Sequence, residues 1–222
     1  MAGAAVLGVV AGTCAGYVVQ AGREPDRLPP LSQPALAQAR GEGPEPLSAA
    51  RDRQVKMDGD LRKLLVKRPG GTHEASLGAV DGWLSQAGYA DDFTKPGPAF
   101  RDLTRQEFRR AAVTGWTEGS SSVEIRLVQF RQEESRSASD AAADGVYWAE
   151  KSRDIRSWPI PGTGDGMVYV HDRPEHTGDG SVYQAQACAW RGDVLMEIWA
   201  DDTEPISPGK IRDLAKRQME RL

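Results

Sequence analysis

Two stretches of this chain concentrate residue types that do chemistry. His171-Asp-Arg-Pro-Glu175-His176 places two imidazoles and two carboxylates close together, a donor set for a metal ion or for acid–base work. A metal needs three or four donors converging on one point, yet Pro174 bends the chain between the two histidines and His73 is remote. The cluster therefore reads as a strand end and a polar loop. Gly162-Thr-Gly164-Asp-Gly166 has the glycine content of a phosphate-cradling loop. Such a loop follows a strand and opens a helix, so that helix amides meet the phosphate. Here the glycines lead into Met167–Val170, a strand, and no Lys-Ser/Thr pair follows. This is a turn.

Nucleophilic chemistry finds no motif. There is no G-x-S-x-G elbow, and Cys188, between Ala187 and Ala189 in a strand pattern, reads as a small buried hydrophobe. The adjacent acids Asp91-Asp92, Glu133-Glu134 and Asp201-Asp202 point to opposite faces if extended, and read as solvated surface. Arg191-Gly192-Asp193 spells an adhesion tripeptide but needs no partner as a hairpin turn. No catalytic residue, metal ligand or cofactor is expected. The six tryptophans, Trp83, Trp116, Trp148, Trp158, Trp190 and Trp199, are more informative. Each joins a large apolar body to an N–H that wants a partner. Trp158, beside prolines at the start of the glycine-punctuated loop, is expected to be the exposed one. With Tyr169 and His171 on the next strand it forms the expected ligand-binding set. Trp190 and Trp199 flank one hairpin and are expected near each other.

The elements that position these residues follow from period and punctuation. Val182–Trp190 and Val194–Ala200 are apolar runs joined by a turn with a central glycine, a β-hairpin. Ser207 and Pro208 open a helix whose Ile211, Leu214, Ala215, Gln218 and Leu222 share one face. Upstream, Ala49–Val66 has helical character and is stopped by Pro69-Gly70-Gly71. Asp81–Phe93 predicts a helix or ordered loop laid on the core, and Lys95–Pro98 a turn. Thr104-Arg-Gln-Glu107 is a capping box that predicts a helix start at Thr104, with Phe108, Ala111, Ala112 and Trp116 at helical spacing. Ser121–Phe130 alternates as a strand, Ser137–Lys151 is an Ala-rich helix, Met167–His171 a strand and Arg173–Gly180 an exposed loop. The order favours an α+β fold, an antiparallel sheet with helices packed on it.

The chain begins differently. Residues 1–22 carry no charge and, at about 1.5 Å per residue, would span roughly 33 Å as a helix, the thickness of a bilayer core. A transmembrane anchor is expected, with cleavage after Ala21 as the alternative, although a signal peptide wants a basic start that is missing. Gly8, Gly12 and Gly16 recur every fourth residue, the spacing through which two such helices would approach closely if the chain forms a homodimer, although a Gly/Ala-rich segment also produces it by chance. Residues 23–47 hold six of the fourteen prolines and read as an extended linker. Residues 48–222 then form the folded domain. With a net charge of −4, none of it in the first 22 residues, this body is a poor match for phosphate backbones, so nucleic acid is not an expected partner.

Several stretches carry a resemblance: the apolar start and Pro-rich tether, Asp60-Leu-Arg-Lys-Leu-Leu65, Phe108-Arg-Arg-Ala-Ala-Val-Thr-Gly-Trp116, Trp158-Pro-Ile-Pro-Gly-Thr-Gly-Asp-Gly-Met-Val-Tyr-Val170 and Gln218-Met-Glu-Arg-Leu222. Together they resemble uncharacterised membrane-anchored actinobacterial proteins, which bring no assigned activity. The tail, with Arg191-Gly192 in its last turn, is similar to PsbP-like domains of lipoproteins and sensor ectodomains. That resemblance implies an α/β/α sandwich and a binding role outside the cell. The expectation is a single-pass membrane protein whose extracytoplasmic domain binds an envelope protein or small ligand. The alternative is an envelope hydrolase working through His171–His176.

Overall fold

The computed structural model describes residues 58–79, 81–131, 136–177 and 180–222. The expected anchor 1–22, with Gly8, Gly12 and Gly16, and the linker 23–47 lie outside them. So does the first half of the helix expected over Ala49–Val66. What the described part of that stretch forms is one 3-10 turn, Leu61–Leu64, capped by the Asp60 carboxylate accepting from the Arg62 N–H. Short pieces follow: β1 (His73–Glu74), β2 (Trp83–Leu84) and α1 (Gln86–Ala90). Ser85 caps α1, its Oγ accepting from the Gly88 N–H at 3.0 Å.

The next two elements overturn the capping-box reading. Helix α2 runs Pro96–Arg105, so Thr104 stands in its last turn and Lys95–Pro98 is its entry. Pro96 starts it because a first-turn residue needs no N–H donor and its fixed φ is already helical. Gln106 ends it, and Glu107 turns the chain with a φ of 61° into β3, Phe108–Glu118. Ala111 and Val113 face one side of β3 and Ala112 and Trp116 the other, and all four are buried. A strand covered on both faces loses its polar alternation, so apolar residues three and four apart pass for a helix.

The remaining elements are β4 (Ser121–Phe130), α3 (Ser137–Glu150), β5 (Ile155–Pro159), β6 (Met167–His171), β7 (Glu175–Thr177), β8 (Gly180–Arg191), β9 (Val194–Asp202) and α4 (Pro208–Met219). Trp158 is thus in a strand, and β7 crosses the stretch read as an exposed loop. All strand pairs are antiparallel, in the order β1-β3-β4-β9-β8-β6-β5, with β2 beside β3 and β7 beside β8. The α+β class with helices packed on an antiparallel sheet is what the chain adopts.

Each face of the sheet has its own core. On one, α4 and the Leu61–Leu65 turn cover Ala112, Leu127, Met196, Ile198, Ala187 and Val168. On the other, α1, α2 and α3 cover Ala111, Val128, Phe130, Leu195 and Cys188. Helix α3 turns Ala138, Ala142 and Ala149 inward, and at Gly145 a Cβ would stand 3.1 Å from the Cys188 sulfur. At the β8–β9 turn Gly192 takes a φ of 60°. Arg191 donates to the carbonyls of Met219 (2.6 Å) and Gly162 (3.3 Å), so the tripeptide's guanidinium ties its own fold together.

Gln218 joins the first and last described segments. Its side chain is fully buried, donates to the Leu64 carbonyl and accepts from the Val66 N–H, each at 2.9 Å. Replacing it by alanine strands two backbone groups, and each costs its desolvation when left unpaired. Gln218→Ala is expected to lower stability by about 2 kcal/mol, read as a drop in urea midpoint at constant m-value.

Candidate functional site

Cross-strand register lays side chains in rows across the face that α1–α3 cover. Val113, Arg126, Glu197, Cys188 and Met167 form one row, from β3 through β4, β9 and β8 to β6. Two residues along lies the next: Gly115, Glu124, Trp199, Gln186 and Tyr169. Pleating sends every second residue to the same side, so both rows share that face. In the first row a guanidinium and a carboxylate sit side by side in the middle of a sheet.

Helix α1 closes over them. The Tyr89 hydroxyl donates to Glu197 Oε2 at 3.0 Å, and the Arg126 guanidinium lies 5.8 Å from the Tyr89 ring centroid. Phe93 meets the same ring edge-on at 5.5 Å and Phe108 stacks on it at 6.2 Å. Arg126 pairs with Asp92 (2.5 Å), just beyond α1, and with Glu124 on its own strand. The guanidinium is 13% exposed, whereas Asp92 is half exposed, so the network runs from the interior to solvent. Beside it opens a cleft of about 340 Å³, lined by Ser76, Leu77, Asp91, Asp92, Glu124 and Arg126 among others. Gly115 allows the wall to approach: a Cβ there would stand 2.7 Å from the Val123 carbonyl and 2.9 Å from Leu77.

Desolvation beneath Tyr89 pushes the Glu197 carboxyl above its ordinary range, opposed by the Arg126 charge and the Tyr89 hydrogen bond. Burial likewise raises the Tyr89 phenol, with the negative charge of Glu197 adding to it. The Cys188 thiol, buried and donating to the Ala142 carbonyl at 3.7 Å, is pushed up by burial, so it stays protonated and is no nucleophile at neutral pH.

The sheet separates the residues picked out from the sequence. Trp158 pairs with Val168 and shares its face, packed against the α4 core. Tyr169 points to the opposite face, buried, its hydroxyl donating to Glu150 at 3.5 Å and its phenol pushed up to about 12, first by desolvation. His171 follows on Tyr169's side and lines a hollow of about 30 Å³ with Gln184, Gln186, Trp199 and Asp201. Trp158 and Tyr169 therefore stand on opposite faces of the sheet. His176 is opposite Ser181 and hydrogen-bonds it at 2.8 Å, while Val170 is opposite Ala185. His171 therefore stands three residues of β8 from His176, roughly 10 Å. Among the described residues no three His, Cys, Asp or Glu side chains converge as metal ligands. Trp158 is half-buried; the exposed tryptophans are Trp148 and Trp199. Trp190 is opposite Leu195 and Trp199 opposite Gln186, so these two do not meet across the hairpin.

Sequence reasoning passed over Tyr89, Glu124, Arg126 and Glu197 as site residues and read Asp91-Asp92 as solvated surface, whereas both line this cleft and Asp92 pairs with Arg126. The available signal was Glu197, one carboxylate inside the apolar run Val194–Ala200, on the strand face of Leu195 and Trp199. No known protein family and no curated protein matches the chain. Among solved structures, the extracellular domain of PknH from Mycobacterium tuberculosis aligns with it at 11% identity and a TM-score of 0.42, covering 72% of this chain and 93% of that one. None of these names a PsbP-like domain.

Because the folded Glu197 carboxyl holds its proton to higher pH than the unfolded one, its ionisation works against the fold. Wild-type stability relative to Glu197→Gln is expected to be greatest at acid pH and to decline as pH rises past the ordinary glutamate value of 4.5. Urea denaturation of both proteins from acid to neutral pH measures the difference; a pH-independent difference contradicts the assignment.

Proposed function

We propose that this chain is a membrane-tethered, extracytoplasmic binding domain whose cleft beside Arg126 takes a positively charged group of a ligand or partner. The tether is the reading of residues 1–22, supported by their uncharged, apolar composition. Among the described residues no helix is long and apolar enough to cross a membrane. The observation that carries the binding site is its charge balance. Asp91, Asp92 and Glu124 line the cleft with Arg126 alone to offset them. A fixed excess of carboxylate in a partly enclosed recess attracts a cation more strongly than the same charges do on open surface.

The arrangement suits holding rather than bond-breaking. Arg126 is engaged by Asp92 and Glu124, and the Glu197 carboxyl by Tyr89, so the charged groups are fixed in place. Calorimetric titration with tetralysine or spermidine is expected to show binding that weakens with added salt. Asp92→Asn, which removes one half-exposed carboxylate, is expected to weaken it by about fivefold (~1 kcal/mol). Absence of heat with either probe, or equal affinity of the variant, removes the cleft as a cation site.

A further inference from the structure

The C-terminal end of α3 presents two large aromatic side chains to solvent. Tyr147 is 52% and Trp148 67% exposed, the highest values among the exposed large hydrophobics of the described residues. Their rings meet edge-on at 5.4 Å. The Lys151 ammonium sits 4.0 Å from the Tyr147 centroid and 5.3 Å from that of Trp148, and also bonds the Tyr147 hydroxyl. Packing does not require these residue types, because α3 meets the sheet through Ala138, Ala142 and Ala149. On a helix face turned to water, two adjacent aromatics mark an interaction surface.

Its charges identify the partner. Lys151 and Arg153 are exposed within five residues of Trp148. Among the acids of this end, Asp154 pairs with Arg173 (3.7 Å), Asp172 with Arg156 (2.6 Å) and Glu150 accepts from Tyr169, while Asp144 is exposed one turn before Trp148. Four cations and four carboxylates thus balance at this end of a chain whose net charge is −4, and the charge that touches the rings is the Lys151 ammonium. Amphipathic aromatic rings beside a long-stemmed lysine are the composition of protein segments that sit at a bilayer's headgroup level. An acidic protein is repelled by an anionic surface except where it presents cations, so the same charges set which end approaches.

We propose that Tyr147, Trp148 and Lys151 form a membrane-interface contact, the rings entering the headgroup region of an anionic bilayer with Lys151 and Arg153 against lipid phosphates. This rests on the reading of residues 1–22 as an anchor. A proline-rich segment the length of residues 23–46 spans at most roughly 75 Å, which keeps the domain near the bilayer it is tethered to. Two rings and two cations hold a membrane weakly alone, and a tether raises their effective concentration to the order of millimolar.

The test uses the full chain and vesicles of phosphatidylcholine, with or without phosphatidylglycerol, carrying brominated acyl chains. All six tryptophans follow residue 82, so quenching of their emission reports the domain and not the anchor. Flotation with phosphatidylcholine vesicles reads the anchor separately. Quenching is expected with the phosphatidylglycerol mixture. Trp148→Gln is expected to abolish it and Lys151→Glu to weaken it severalfold, with flotation unchanged. Flotation without quenching, or equal quenching of Trp148→Gln and wild type, overturns the contact while the anchor stands. Loss of flotation with quenching retained overturns the anchor and keeps the contact. Quenching absent together with a cross-linked dimer that Trp148→Gln abolishes assigns the patch to a second copy of the chain, and overturns the proposal.

Discussion

The pairing of β4 with β9 holds the two halves of the sheet together. On one side of it lie β1 to β4, on the other β8, β6 and β5, and β9 is the strand that joins them. Eight residue pairs are in register, from Ser122 opposite Asp201 to Gln129 opposite Val194. These partners are more than sixty positions apart in the chain, so the contact carries a large closure entropy and depends on burial to offset it. Ile125, Leu127, Met196 and Ile198, buried together beneath α4 and the Leu61–Leu65 turn, supply that burial. The Gln218 clamp on Leu64 and Val66 then fixes the first described residues against the last helix.

The same pairing builds the charged site. Arg126 and Glu197 are direct partners across it, and Glu124 is opposite Trp199 one step further along the same face. Charges taken from water need partners with good geometry, or their desolvation outweighs the attraction. Tyr89 and Asp92 provide those partners from α1 and its exit, while Phe93 and Phe108 wall the tyrosine ring. The site therefore requires α1 to be docked, and α1 is a five-residue helix that cannot persist unaided. Its Ser85 cap and the burial of Tyr89 and Ala90 keep it in place.

Legibility in the sequence followed the physics of each element. Met167–His171, Ser137–Glu150, the β8–β9 hairpin and the terminal helix were readable because period, caps and turn residues agreed. Phe108–Glu118 was not, because burial on both faces erased the alternation that distinguishes a strand. Nor was Pro96–Arg105, where Pro96 and Pro98 signal a turn as readily as a helix's first turn. Trp148 went unnoticed because Trp158 was expected to be the exposed tryptophan. Only the rotation of α3, set by which alanines touch the sheet, turned it outward.

By itself the sequence determined the class of fold, the terminal β-β-α unit, the uncharged first 22 residues and the inert burial of Cys188, since each depends on composition or on neighbours within a few positions. Tertiary structure alone decided that Trp158 and Tyr169 lie on opposite faces and that Arg126, Glu197, Asp92 and Tyr89 meet. Which side chains share a face across four strands is fixed by register, and register follows from how the whole sheet buries its two sides, which no single stretch of chain encodes.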